Sequence, residues 1–152
     1  MATAADKTPT TPLRVTRTFA APREKVFRAW TDPQALKTWF APSDKFETRI
    51  PELDLRVGGR YRIEMKLEDK NNIVTGTYRE IRAPEKLVFT WKWETESTGG
   101  DAGDTLVTIE FFEREGRTEV VLTHERFLTG EARDAHNKGW IGCLDRLQQF
   151  LS

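Results

Sequence analysis

The chain has 152 residues, of which 38% are hydrophobic and 32% are charged, and its 24 lysines and arginines balance its 24 aspartates and glutamates. This length suits a single globular domain, and the balanced charge argues against nucleic acid or an anionic membrane as a partner. The single cysteine excludes an internal disulfide and is compatible with a reducing compartment.

The first twelve residues, MATAADKTPTTP, lack the apolar stretch of a signal sequence. They also lack hydrophobic periodicity, so we expect residues 1–12 to form a disordered tail and residues 13–152 to form the domain. No stretch of the sequence approaches the roughly 18 apolar residues of a membrane-spanning helix. We therefore expect a cytoplasmic protein that does not associate with a membrane.

The first elements of the domain are a strand and two short helices. The alternating stretch LRVTRTFA, which begins at Leu13, predicts a strand with one buried face. Pro22 then marks the start of one helix, and Asp32 followed by Pro33 provides a cap and a first helical residue for another. Helices this short are not stable alone, so we expect both of them to pack on a larger element.

Six further stretches alternate between apolar and polar residues. The first, ETRIPELDLRV, places Leu53, Leu55 and Val57 on one face, and the Gly58-Gly59 pair that follows it predicts a tight hairpin. The other stretches are RYRIEMKLE, NIVTGTYREI, KLVFTWKWE, TLVTIEFFE and TEVVLTHERF. The separators APE, TESTGGDAGD and REGR are typical of turns, so the sequence predicts an antiparallel meander.

The C-terminal stretch predicts a helix from about Glu131 to Leu151, which at about 30 Å is long enough to cross a sheet. One broad face would hold Ala132, His136, Gly139, Trp140, Cys143, Leu144, Leu147, Phe150 and Leu151. Gly139 lies at the inward edge of this face, where the missing side chain would let a backbone or a ligand approach closely. Gly142 projects outward and has no physical explanation in the sequence.

The predicted sheet presents many aromatic rings on the face toward this helix. Alternation places on it Tyr61, Ile63, Met65, Leu87, Phe89, Trp91, Trp93, Val107, Ile109, Phe111, Val120, Leu122 and His124. Rings in this arrangement either pack as a solid core or line a cavity for a small molecule. The pattern leaves both interpretations open.

Several spaced motifs resemble a known family. They are TRTFAAPREKVFRAWTDPQALKTWFAP, DLRVGGRYRIEM, GTYREIRAPEKLVFTWKW and LTHERF with GWIGCLDRLQQFL. Together they span about Leu13 to Leu151 and resemble the single-domain (AHSA-like) homologues of the activator of the 90-kDa heat-shock protein ATPase, within the START-like (SRPBCC) superfamily.

The resemblance implies an α+β, helix-grip fold, in which a curved antiparallel sheet with two short helices wraps around a long C-terminal helix. A cavity would lie between the sheet and this helix. Members of the superfamily bind lipids, hormones and other apolar molecules, and some branches are enzymes. The eukaryotic co-chaperone also has a separate N-terminal domain that contacts the chaperone, to which no part of this sequence corresponds.

The sequence contains few candidate reactive groups. His124 and His136 are predicted to face inward, where a histidine can orient a ligand or act as a base, but more often is the hydrogen-bonded partner of a neighbouring group. His136 and Cys143 lie two helical turns apart, too far to share a metal ion. Cys143 lies in mid-helix on an apolar face, which favours a small buried hydrophobe over a nucleophile.

Two polar stretches are interpreted as structural. Glu52, Asp54 and Arg56 alternate on one strand face and could do acid–base chemistry, but such a run is typical of a solvated face. The acidic GGDAGD stretch lacks the ligand spacing of a calcium loop and is predicted to be a turn.

We therefore predict a domain that binds a small hydrophobic or aromatic molecule in a cavity between the sheet and the C-terminal helix. The alternatives are a co-chaperone-like modulator that contacts the 90-kDa heat-shock chaperone and a cyclase- or hydrolase-like enzyme. Enzymatic activity is not favoured, and the sequence indicates no catalytic residue, metal or cofactor, because no nucleophile–base pair is evident. The pattern does not distinguish a monomer from a homodimer. The predicted cavity lining is Tyr61, Met65, Phe89, Trp91, His124, His136, Gly139, Trp140, Cys143 and Leu144.

Overall fold

The computed structural model describes residues 10–94 and 104–152. Within these ranges the elements follow the predicted order of one strand, two short helices, six strands and one long helix. They are β1 (Leu13–Phe19), α1 (Arg23–Thr31), α2 (Pro33–Trp39), β2 (Glu47–Leu53), β3 (Arg60–Leu67), β4 (Lys70–Arg82), β5 (Lys86–Trp93), β6 (Thr105–Arg114), β7 (Arg117–Glu125) and α3 (Gly130–Leu151).

The strands form one antiparallel sheet in the order β1-β7-β6-β5-β4-β3-β2. Register shifts interrupt β2 between Arg49 and Glu52 and the β4–β5 pairing between Tyr78 and Glu80. Such bulges bend a strand and increase its twist, and the resulting curved sheet faces α3. This architecture confirms the predicted α+β, helix-grip fold class.

The two short helices begin where the sequence predicted. Pro22 precedes the first residue of α1, and the Asp32 side chain accepts a hydrogen bond of 3.0 Å from the Gln34 backbone N–H at the start of α2. The helices are joined to one another by the Trp39 indole, which donates to the Ala29 carbonyl at 2.9 Å. Their apolar residues are buried, as expected for helices that need tertiary support.

The segment after β2 differs from the prediction. β2 ends at Leu53, and Leu55 and Val57 are 40% and 64% exposed, so these two residues do not continue a buried strand face. Residues 54–59 instead form a loop, in which the Gly59 N–H donates to the Arg56 carbonyl at 2.8 Å. Gly58 has a positive φ of 87°, a conformation that glycine adopts at little cost. The alternation through Leu53, Leu55 and Val57 covers too few residues to distinguish a strand from a loop.

The charged residues at the end of β2 and in this loop face solvent, as expected of a solvated face. Arg56 and Asp54 form an ion pair of 2.7 Å with side chains 77% and 45% exposed, and Glu52 is also exposed. An ion pair this exposed contributes little to stability, and it does not form an enclosed acid–base site.

The long helix α3 lies where the sequence predicted it, and nearly all residues of its predicted inner face are buried. Thr129 caps it by accepting a hydrogen bond of 3.1 Å from the Ala132 N–H. The exceptions on the face are Gly139, which is half-buried, and Phe150, which is 39% exposed. Phe150 lies at the margin of the face in the last turn, where the ring is only partly covered. The buried residues of the helix are Ala132, His136, Trp140, Cys143, Leu144, Leu147 and Leu151.

Two predicted segments fall partly outside the described residues. Of the tail predicted over residues 1–12, residues 1–9 lie outside, whereas residues 10–12 are described. The Thr10 hydroxyl donates to the Phe127 carbonyl at 2.9 Å, and the Thr11 hydroxyl accepts from Arg133 at 2.6 Å. Of the turn predicted in TESTGGDAGD, residues 95–103 lie outside.

Candidate functional site

A cavity of about 90 Å³ lies between the sheet and α3. Strands β3 and β5 supply one wall, α3 supplies the opposite wall, and the segment after α2 closes one side. The residues around the cavity are Phe40, Pro42, Met65, Trp91, Trp93, Ala135, His136, Gly139, Trp140 and Cys143. All are apolar or aromatic except His136, so the site is suited to an apolar molecule.

The two glycines of α3 have different surroundings. A Cβ atom at Gly142 would lie 2.2 Å from the Pro42 carbonyl oxygen, whereas a Cβ atom at Gly139 would meet no atom within 4 Å. We predicted that a backbone or a ligand approaches closely at Gly139, but the close backbone approach occurs at Gly142. The prediction that Gly142 projects outward is therefore wrong. Gly139 borders the open cavity instead.

Gly142 explains how the segment after α2 reaches the cavity. Because Gly142 has no side chain, the backbone at Pro42 packs directly on α3. Arg146, one turn further along α3, donates to the carbonyls of Trp39 at 3.0 Å and Thr38 at 2.9 Å. These contacts hold Phe40 and Pro42 in place as cavity walls.

A second, smaller cavity of about 20 Å³ lies beside the first. Phe40 and Trp91 border both cavities, and their ring centroids are 6.1 Å apart. The other residues around it are Trp30, Leu36, Leu53, Tyr61, Ile63, Tyr78, Leu87 and Phe89. The two spaces are therefore neighbours that share aromatic walls.

The predicted lining residues are divided among three places. Met65, Trp91, His136, Gly139, Trp140 and Cys143 border the first cavity, and Tyr61 and Phe89 border the second. His124 and Leu144 are each 0% exposed and border neither cavity. They lie in the packed core behind the walls.

Sequence reasoning missed four residues that border the first cavity, namely Phe40, Pro42, Trp93 and Ala135. Trp93 was placed on the inner face of the sheet but not in the site. Phe40 and Pro42 belong to the segment after α2. Local sequence patterns cannot predict how close this segment lies to α3. The one available signal was Gly142, since a costly glycine inside a helix often marks the approach of another backbone.

His124 is held by hydrogen bonds at both ring nitrogens. The Trp140 indole N–H donates to Nδ1 at 3.0 Å, and Nε2 lies 2.7 Å from the Thr105 hydroxyl, which donates to the Trp91 carbonyl at 2.9 Å. An indole N–H can only donate, so Nδ1 must be the acceptor and the proton of the neutral ring resides on Nε2. Burial, with a smaller contribution from the nearby His136, lowers the pKa of His124 well below its usual value.

His136 also forms hydrogen bonds at both ring nitrogens, but here Nε2 rather than Nδ1 accepts from an indole. The Trp93 indole N–H donates to Nε2 at 2.8 Å, and Nδ1 lies 2.7 Å from the Ala132 carbonyl. The neutral ring therefore carries its proton on Nδ1. Burial lowers the pKa of His136, although the hydrogen bond to Ala132 partly opposes the shift. Both histidines face inward as predicted, and both are neutral partners of tryptophan.

Cys143 borders the cavity as a thiol. Burial raises its pKa to about 12, and the charge of Arg146 opposes this only in part. The thiol therefore stays protonated and behaves as a small apolar wall residue.

The described residues contain no group of three or more His, Cys, Asp or Glu side chains that could hold a metal ion. Within the same ranges, no helix has the length and apolar character needed to cross a membrane.

Comparisons with known proteins agree with this architecture. The family model described as "Activator of Hsp90 ATPase homolog 1-like protein" matches residues 20–152. No curated protein is a significant match for the chain. The fold is similar to that of a protein from Chromobacterium violaceum, with 26% identity, a TM-score of 0.83, and 92% of this chain and 96% of that chain covered.

Two further solved structures are similar. A protein from Rhodobacter sphaeroides is 25% identical with a TM-score of 0.79, and the match covers 93% of this chain and 92% of that chain. An AHSA1 protein from Silicibacter pomeroyi is 23% identical with a TM-score of 0.77, and the match covers 91% of this chain and 96% of that chain.

Proposed function

The chain belongs to the family of Activator of Hsp90 ATPase homolog 1-like proteins, and from this premise we propose that it binds a small hydrophobic or aromatic molecule between the sheet and α3. The observation that carries the proposal is the ring-lined cavity of about 90 Å³ beside Gly139. Ligand sites are concave and lined mainly by apolar and aromatic side chains, and this cavity reaches the surface at the exposed Ala135. A space of this size with apolar walls is therefore a candidate binding site.

Gly139 supports the cavity against the alternative of a solid core. Glycine inside a helix costs about 1 kcal/mol relative to alanine. No chain atom lies within 4 Å of the position of a Cβ atom at Gly139, so packing against the chain does not require the glycine. A glycine at this position keeps the space beside α3 open for a molecule that is not part of the chain.

The size of the cavity limits the ligand. Its volume of about 90 Å³ is below the ~300–1,000 Å³ of sites for drug-sized molecules. An apolar cavity of about 150 Å³ in another protein is known to bind benzene. In the observed conformation, the enclosed part of a ligand is therefore no larger than one aromatic ring or a short acyl chain.

The two alternative functions have less support in the described residues. The family is compatible with a co-chaperone-like role in general, but the surface of residues 10–94 and 104–152 has no feature that singles out a chaperone as partner. A cyclase- or hydrolase-like reaction needs an activated group. Burial keeps the Cys143 thiol protonated, and both nitrogens of His136 are engaged in hydrogen bonds.

The proposal is tested by filling the cavity. Toluene, ethylcyclohexane and methyl hexanoate are titrated into the protein while tryptophan fluorescence is recorded, because Trp91, Trp93 and Trp140 border the cavity. At least one probe is expected to give a saturable response. Gly139→Leu should weaken this binding at least tenfold, or about 1.4 kcal/mol, because its side chain enters the open space.

The matched control is Lys138→Leu, which adds a leucine at an exposed position of the same helix and should leave binding unchanged. A saturable response that Gly139→Leu retains in full would place the binding site elsewhere. The absence of a saturable response to all three probes would favour a solid core.

A further inference from the structure

We propose that Phe40 sets the length of the ligand, because its side chain closes the inner end of the first cavity and separates that cavity from the second. This inference rests on the proposed function and adds the residue that determines specificity. The ligand class it predicts is a molecule whose enclosed apolar part is a single ring or a short chain. A longer chain gains no affinity beyond Phe40.

The two cavities follow one another along the same strands. On β3, Ile63 borders the second cavity and Met65 borders the first. On β5, Phe89 borders the second cavity, Trp93 borders the first and Trp91 borders both. Alternate residues of a strand face the same side and each residue adds ~3.3 Å, so the two spaces lie end to end over roughly 13 Å from Phe89 to Trp93.

The positions of the cavities relative to the surface define an order of entry. The first cavity reaches the surface at the exposed Ala135, whereas the described residues around the second cavity are buried, apart from the half-buried Leu53. A ligand that enters at Ala135 therefore fills the first cavity before it meets the second. Among the described residues, Phe40 and Trp91 border both cavities, so these two side chains form the partition between them.

The backbone around Phe40 is fixed, although this segment is neither helix nor strand. The Phe40 N–H donates to the Leu36 carbonyl at 2.9 Å, and the Phe40 carbonyl accepts from the buried Thr48 hydroxyl at 2.9 Å. Two residues further on, the Pro42 backbone packs directly on α3 at Gly142. These contacts hold the Phe40 side chain at one position relative to the sheet and to α3.

Aromatic rings also surround the Phe40 ring. Its centroid lies 5.2 Å from that of Trp39, 5.8 Å from Trp140, 6.1 Å from Trp91 and 6.2 Å from Trp30, and the residue is only 2% exposed. Because protein interiors are close-packed, the ring cannot swing aside without displacing one of these neighbours. Phe40 therefore acts as a fixed end wall of the first cavity.

The experiment measures affinity against chain length. The 1-alkanols from butanol to decanol are titrated into the full chain while tryptophan fluorescence is recorded. Removing the hydroxyl from water is costly, so it stays at the mouth near Ala135 and the alkyl chain points inward. Each buried CH₂ group should tighten binding about fourfold. In the parent, affinity should rise with chain length and then level off once the chain reaches Phe40.

Phe40→Val should remove the end wall. A chain two carbons longer than the last one that gains affinity in the parent should bind this variant at least about tenfold more tightly than the parent, because it extends into the second cavity. Phe111→Val is the matched control. It makes the same truncation at a residue that is 1% exposed and borders neither cavity, so its affinities should level off at the same length as in the parent.

A further substitution locates the additional carbons. Ile63→Phe adds volume at the second cavity, which Ile63 borders. In the parent it should leave the alkanol series unchanged, because the chain ends before that space. In Phe40→Val it should abolish the gain for longer chains. If Phe40→Val does not fold, the smaller truncation Phe40→Leu is compared in the same way, with and without Ile63→Phe.

The outcomes separate this inference from the proposed function. An affinity that keeps rising through decanol in the parent would overturn the role of Phe40, as would a series that levels off at the same length in the Phe40 variant. A gain that Ile63→Phe leaves intact would do the same. In each of these cases ligand binding itself would stand. No saturable binding of any alkanol, or binding that Gly139→Leu does not weaken, would contradict the proposed function.

Discussion

Gly139 and Gly142 lie three residues apart on α3, and a methyl group added at each would meet different surroundings. At Gly142 it would lie 2.2 Å from the Pro42 carbonyl oxygen, which is closer than two such atoms can approach, whereas at Gly139 it would enter open space. The contact at Gly142 is to backbone, which cannot rotate away as a side chain can. The absence of a side chain at Gly142 thus allows the segment with Phe40 and Pro42 to pack on α3, and the absence of one at Gly139 leaves the cavity open.

Alanine substitutions should therefore affect stability in opposite directions. Gly139→Ala should stabilise the protein by up to about 1 kcal/mol, because alanine is the better helix former. Gly142→Ala gains the same propensity but must push α3 away from Pro42, so we expect a net loss of roughly 1–3 kcal/mol. Urea unfolding of the two variants measures both effects. Equal stabilisation by both would show that the backbones do not meet at Gly142.

At the scale of elements, α3 is held on one side by the sheet and on the other by the segment after α2. Arg17 of β1 pairs with Asp145 of α3, and Arg146 caps the last carbonyls of α2. Between these polar contacts the helix buries an apolar face, in which Leu144 and Leu147 are each 0% exposed. The helix is therefore a wall of the cavity and also a major part of the core.

Truncation of this face should destabilise the whole fold. Leu147→Ala is expected to cost about 2–5 kcal/mol, because it leaves a void in a close-packed core. Gln149→Ala, at an exposed position two residues further on, is the matched control and should change stability by less than about 0.5 kcal/mol. Chemical denaturation gives both values. Rapid hydrogen exchange across residues 140–150 in the parent protein would contradict a helix that is gripped by the sheet.

At the scale of the whole molecule, the aromatic core is joined by a polar network inside it. His124 and His136 lie 5.2 Å apart between ring centroids, and each accepts an indole N–H. Protonation of either ring would turn its accepting nitrogen into a donor facing another donor. The network therefore links the packing of β5, β7 and α3 to the neutral state of both rings.

Stability should consequently fall in mild acid. Burial lowers the pKa of both histidines below the usual value of 6.5, so the folded state favours the neutral rings. The stability that depends on the neutral rings is complete above about pH 6.5 and is lost as the pH falls below this value. In that range the histidines are protonated in the unfolded chain but remain neutral in the folded protein. Between pH 7.5 and 5.5 we expect a loss on the order of 1–3 kcal/mol.

The measurement is urea unfolding at the two pH values for the parent and for His136→Gln. Glutamine does not titrate and can still accept from Trp93, so the variant should lose roughly half as much stability as the parent over this range. The chain has only two histidines, which makes the comparison direct. A parent whose stability is the same at both pH values would show that neither histidine is held in the neutral form.

The sequence by itself determined the elements and most of the buried face, because these depend on short-range physics. A period of two marked the strands, Asp32 and Pro33 marked the start of α2, and apolar spacing marked the inner side of α3. The alternation of apolar and polar residues gave a wrong prediction where it covered only a few residues, as in the loop that contains Leu55 and Val57.

Only the tertiary structure decided which of these residues border the cavity. The approach of Pro42 to Gly142, the place of Phe40 in the cavity wall and the acceptors of the indoles all join segments that are far apart in sequence. Such contacts depend on the bend of the sheet and the crossing of α3 over it, to which every element contributes. Local patterns extend over a few residues, so they could place Trp91 on the inner face but could not show that its indole N–H would meet no acceptor among the described residues.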